Sequence, residues 1–247
     1  RLALQWLAEE IGREGPAVLV GSPMPGGPAL GPAELVSCNS GQWKRPVLLN
    51  CAVLVQSGEV RISAAQQHLP PMSNHDFARY FTPGWGSGAF TLNGIGFATV
   101  MGYDAVAHTL QWSDTVSGAP WSFDSASFAG AVQPESKNNG GQENKPDVLL
   151  CITATPFFGQ EGYLFSRGMA ELAGKIGLPI IFVNTVSASG GVIFGGGSAL
   201  FSRTGAIQGK SPRFVEDTLW LKAEKECALT PLPGMSAETG RIAVRPL

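Results

Sequence analysis

Asp147-Val-Leu-Leu-Cys-Ile152, the stretch Gln160–Ile176, and Leu178-Pro-Ile-Ile-Phe-Val-Asn184 decide the fold. The first is a continuous apolar run of strand length. The second carries Leu164, Gly168, Leu172 and Ile176 on one side, the spacing of a helix that buries a single face. The third is a second apolar strand. Strand, helix and strand at these lengths predict a βαβ unit: two adjacent parallel strands, a helix outside them and a right-handed crossover. The class is therefore α/β.

Toward the C-terminus, Gly195-Gly196-Gly197 precedes a predicted hairpin, Ser198–Ser202 and Ala206–Gly209 around Arg203-Thr204-Gly205. The glycine run has no Gly-Lys-Ser/Thr ending and opens no helix. It reads as a tight passage between strands rather than a phosphate loop. Phe214–Leu221 is expected to be the last strand, and 222–247 a polar extension over a neighbouring surface.

Toward the N-terminus, Asn93-Gly94 is the strongest hairpin signal, joining Ala89–Leu92 to Ile95–Met101. A helix over 104–112 is expected after it, with Asp104 near its N-cap. The stretch 113–146 reads as a long loop with a short helix around 124–131. Val47–Gln56 and Val60–Ala64 form a hairpin through Ser57-Gly58, and Gln66–Gly88 is irregular. Ala17–Gly21 reads as a strand, 22–46 as loop, and 2–13 as a helix with Leu4, Leu7 and Ile11 on one face. The expected organisation is one domain over 1–221 and an extension over 222–247.

Composition narrows the function. The net charge is -2 and only 15% of the 247 residues are charged, which gives no electrostatic basis for a nucleic-acid or anionic-membrane partner. Cys38, Cys51, Cys151 and Cys227 lie far apart without zinc-ligand spacing. Cys51 and Cys151 sit in apolar strands as buried thiols. No metal or cofactor is expected, and a reducing, cytoplasmic location fits. No span of 18 apolar residues occurs. The sequence starts on a helix without Met, so the native N-terminus is expected elsewhere. Trp112 and Trp121 flank the 113–120 loop and are expected to mark a protein contact.

Several ordered segments carry a resemblance. They are His68-Leu69-Pro70, then Arg79-Tyr80-Phe81-Thr82-Pro83-Gly84, Gly102-Tyr103-Asp104, and Asp147 through Thr155-Pro156-Phe157. Gly177–Asn184, Phe194-Gly195-Gly196-Gly197-Ser198 and Phe214-Val-Glu-Asp217 complete the series. In this order they resemble the carbon–nitrogen hydrolase (nitrilase) superfamily, and within it the glutaminase domains of glutamine-dependent NAD synthetases. The resemblance implies a four-layer α-β-β-α sandwich, here expected to lack its first strands, and an oligomer.

Enzymes of this family use a Cys–Glu–Lys triad, often with a second glutamate. The thiolate attacks the amide carbon, glutamate moves the proton, and lysine stabilises the oxyanion. On the matched segments the cysteine falls on Gly102, the lysine on Gln66, the second glutamate on Phe77, and an acidic residue common near the glycine run on Gly195. The first glutamate lies before the opening helix and has no counterpart. Every matched chemical position is substituted while the framework remains. The expectation is a non-catalytic protein that acts as an interaction or assembly subunit, in a homo-oligomer or beside an active homologue or synthetase module. Gln66, His68, Phe77, Gly102, Tyr103, Asp104 and Thr155 would line a residual pocket. A divergent hydrolase of glutamine or another small amide stays open, with His68, His75 or His108, Asp76 or Asp104, and Ser73 or Cys151 as replacement chemistry. So does a truncated glutaminase domain.

Overall fold

The computed structural model describes residues 2–26, 48–69, 71–72, 75–105, 146–157, 161–223 and 229–231. The expectations for 106–145, including His108, the short helix and the tryptophan pair, fall outside these, as do Ser73, Cys38 and Cys227. The chain forms two compact units, Arg1–Pro146 and Asp147–Leu247.

The first unit opens with α1 (Leu2–Ile11), followed by β1 (Val18–Pro25), β2 (Leu48–Gln56) and β3 (Glu59–Ala65) in one antiparallel sheet. The strand expected over Ala17–Gly21 runs on to Pro25. It lies at the sheet's edge, where proline is tolerated because only one side of the strand is paired. α1 turns Leu4 and Ala8 onto Cys51, Val53, Val55 and Ala65, with Leu7 and Ile11 packed alongside. Each such fully buried aliphatic side chain contributes about 1.5–3 kcal/mol. Next come β4 (Pro71–Met72), β5 (His75–Asp76) and the four-residue helix α2 (Phe77–Tyr80), short elements within the stretch expected to be irregular.

β6 (Gly88–Leu92) and β7 (Ile95–Met101) pair around Asn93 and Gly94, whose φ values of 51° and 77° are those of a type I′ turn. Ser57 and Gly58 make the same turn between β2 and β3. The β6–β7 hairpin packs on β2 and β3, and the Ser63 hydroxyl donates to Thr99 Oγ1 at 3.0 Å across the two layers. Gly102–Ala105 forms a 3-10 turn with Asp104 inside it, and the rest of the helix expected over 104–112 falls outside the described residues.

In the second unit, β8 (Val148–Thr153), α3 (Glu161–Ile176) and β9 (Ile180–Asn184) form the expected βαβ unit, with β8 and β9 parallel. α3 packs on the sheet and buries Gly168 and Leu172 of the expected stripe, with Met169 and Ala173 beside them; Ile176 is half-buried, and the side chain of Leu164 falls outside the described ones. Gly177, at φ 66°, closes the helix by donating its N–H to Ala173 O. β10 (Val186–Ser189) and β11 (Val192–Gly195) form a separate hairpin. β12 (Ala199–Phe201) and β13 (Ile207–Lys210) then extend the mixed sheet antiparallel to β9.

The strand expected over Phe214–Leu221 does not form. Phe214 has φ 61°, a left-handed conformation that breaks the pleat, and the chain becomes extended again only at β14 (Leu221–Ala223). β14 pairs with β15 (Leu229–Pro231), so part of the expected polar extension is sheet. The fold is α/β, a mixed β-sheet flanked by helices in the manner of a nitrilase-like α-β-β-α sandwich.

Candidate functional site

Most of the expected site residues gather where β3 ends. From the Ser57-Gly58 turn, β2 and β3 pair without interruption as far as Val53 and Ile62. A bulge then sets Ala52 opposite Ala64. Uninterrupted pairing would set Asn50 opposite Ala65; the bulge carries Asn50 to Gln66 instead. The Gln66 N–H donates to Asn50 O at 2.8 Å, and Asn50 Nδ2 donates to Gln66 Oε1 at 2.7 Å. Gln66 Nε2 donates to His68 O at 2.9 Å, and the Gly84 N–H to Gln66 O at 2.7 Å. Gln66 is 3% exposed. Both ends of its carboxamide are therefore engaged inside the fold. A lysine ammonium here would offer donors only and leave the Asn50 amide without its acceptor.

Asp104 is 4% exposed. Its Oδ2 accepts from the Gln67 N–H at 2.8 Å. Its Oδ1 accepts from the His68 N–H at 2.6 Å and pairs with His68 Nδ1 at 3.0 Å. The carboxylate thus clamps the loop after β3, and it does so through charge-assisted bonds, the stronger kind. In neutral His68 this pairing assigns the proton to Nδ1.

Gly102 follows β7 directly, at φ 47°. It carries no atom that could attack a carbonyl, and its left-handed backbone disfavours any side chain. Tyr103 is half-buried in the same turn. His75 and Asp76 make up β5 and Phe77 opens α2. Cys51 and Cys151 are buried, as expected. Burial pushes the Cys51 thiol from 9.0 to about 12, so it is inert at neutral pH.

Thr155 and Gly195 belong to the second unit. The Thr155 hydroxyl pairs with that of Thr153 at 2.8 Å, and its N–H donates to Asn184 Oδ1 at 2.9 Å. Asn184 Nδ2 in turn donates to Gly196 O. A Cβ on Gly195 would sit 3.3 Å from Phe214 and 3.4 Å from Phe157, so an acidic side chain would press on two phenyl rings. Among the described residues, no group of three His, Cys, Asp or Glu could hold a metal, and no helix is long and apolar enough to cross a membrane. Asn50, Gln67 and Asn184 went unnoticed in the sequence. Only the hairpin register could have pointed to Asn50, and the bulge shifts that register by one residue.

No protein-family model matches the chain. It is 26% identical over 214 residues to the glutamine-dependent NAD(+) synthetase of Synechocystis sp., a match covering 87% of this chain and 33% of that protein. The structure of the glutamine-dependent NAD+ synthetase from Acinetobacter baumannii superposes with a TM-score of 0.62 at 20% identity, over 92% of this chain and 34% of that one. An amidase from Nesterenkonia sp. AN1, in complex with butyramide, gives 0.54 at 20% identity, over 85% and 63%. The chain spans about a third of the length of the synthetases it matches. The sequence is thus similar to that of a glutamine-dependent NAD(+) synthetase, and the fold is shared with that synthetase structure and with the amidase.

Proposed function

We propose that the chain is a non-catalytic member of the carbon–nitrogen hydrolase, or nitrilase, superfamily, a cytoplasmic interaction or assembly subunit. Its partner is a second copy, an active homologue or a synthetase module of NAD synthesis. One observation carries the reading. Where the family resemblance sets a lysine and a cysteine, this chain has a glutamine engaged at both ends of its amide and a glycine. Covalent amide hydrolysis needs a nucleophile beside a base and an oxyanion donor. Loss of one oxyanion donor alone costs about 3–4 kcal/mol of transition-state stabilisation.

Intact-mass spectrometry after incubation with glutamine, asparagine and simple amides tests the catalytic half. No acyl adduct is expected; an adduct mapped to any residue of this chain would overturn it. Light scattering on the purified protein, alone and mixed with a synthetase, tests the assembly half. A species larger than the monomer is expected, and a monomer under both conditions would sink it.

The Asp104–His68 pair favours the second reading, a divergent hydrolase of glutamine or another small amide, because buried carboxylate–imidazole pairs orient general bases. Loss of turnover in His68→Gln would support that reading.

A further inference from the structure

The second unit holds a half-buried cation that the site above does not use. Arg213 bridges to Gly196 through the backbone, and its guanidinium lies over the Phe157 ring, 5.7 Å from the centroid. No carboxylate among the described residues pairs with it. The surrounding chain is shaped to receive it. Gly196 and Gly197 are left-handed, at φ 60° and 74°, and a Cβ on Gly197 would come within 3.2 Å of Arg213 Cγ. The stem of the arginine therefore lies directly on the glycine backbone. The next residue, Phe214, adopts φ 61°, donates its N–H to Gly195 O and packs edge-on against Phe157. That conformation is costly for a bulky residue, and it holds Arg213 in place.

A cavity of about 20 Å³ opens beside Arg213, with Ser166, Thr155 and Asn184 among its polar lining. That is room for one or two oxygen atoms, not for a whole metabolite. A half-buried guanidinium favours an anion, and its fork fits carboxylate and phosphate oxygens. An aromatic face on one side stabilises the cation without neutralising it.

We propose that Arg213, braced by Phe157 and Gly197 at the mouth of this cavity, binds the oxyanion group, carboxylate or phosphate, of a ligand whose remainder projects outward. The proposal is independent of whether the Gln66–Gly102 region is catalytic.

Thermal melting of the purified protein in inorganic phosphate and in acetate, each against chloride at matched ionic strength, tests it. A saturable rise in Tm is expected, larger in phosphate, and absent in Arg213→Gln. Arg213→Lys keeps the charge without the fork and is expected to weaken the apparent affinity about tenfold. Gly197→Ala, which displaces the arginine, should weaken it as well. A rise in acetate alone, lost in Arg213→Gln, would identify the carboxylate source and equally support the site. Equal shifts in wild type and Arg213→Gln, or no shift beyond chloride with either anion, would overturn it. Should Arg213→Gln fail to fold, Arg213→Lys decides: wild-type affinity there overturns the site.

Discussion

At Gly102 the backbone and the chemistry agree. A cysteine there would sit at φ 47°, at a cost of about 1 kcal/mol, in a chain that holds Gln66 where the resemblance sets the lysine. Gly102→Cys is therefore expected to melt slightly lower and to show no turnover. Rapid ammonia release from that single variant would mean that the rest of the machinery is intact. Gln66→Lys should cost more, about 2–4 kcal/mol in chemical denaturation, because it buries an ammonium and strips Asn50 of its acceptor. Asp104→Ala leaves two backbone N–H groups without their carboxylate and should lose about 2–4 kcal/mol, with Asp104→Asn milder. Cys51 adds a pH signature. Its thiol keeps its proton up to about pH 12 in the fold but only to about 9 when unfolded. Its stabilisation is thus complete below pH 9 and falls as pH rises toward 12. Cys51→Ala should flatten that part of the alkaline stability profile, at a packing cost of about 1 kcal/mol.

Among the elements, those announced by local chemistry were legible in the sequence. The Asn93-Gly94 and Ser57-Gly58 turns need positive φ at both positions and have it. The apolar runs on either side of α3 are long enough to be central strands, and they are. The elements that depend on distant contacts were not legible. Phe214–Leu221 has strand-forming residues at both ends, yet Phe214 is turned left-handed by its bond to Gly195 and its packing on Phe157. Asp104 reads as an N-cap, and nothing local announces that its carboxylate also accepts from backbone groups 36 and 37 residues earlier. The β2–β3 bulge that brings Asn50 to Gln66 leaves no mark in composition. Close approach between elements gives a prediction at this scale. A Cβ on Gly88 would fall 1.7 Å from Ser63 O, so Gly88→Ala must push β6 away from β3. A loss of about 3 kcal/mol or more is expected by denaturant titration; a loss under about 0.5 kcal/mol would mean the two layers are not held this tightly.

For the whole molecule, the proposed reading is that the framework is kept without the chemistry. The described strands and tight turns build a nitrilase-like fold, and under the proposed reading the positions to which the resemblance assigns amide hydrolysis hold Gly102, Gln66, Phe77 and Gly195. Part of that separation was legible from residue identities alone. The engagement of Gln66 was not, because its partners come from another strand and a later loop. The most direct measurement is ammonia release by the purified protein with saturating glutamine, beside asparagine and simple amides. The account predicts a rate indistinguishable from the protein-free control. Sustained turnover by the purified wild-type protein would contradict it, and its loss in His68→Gln would place the chemistry at the Asp104–His68 pair.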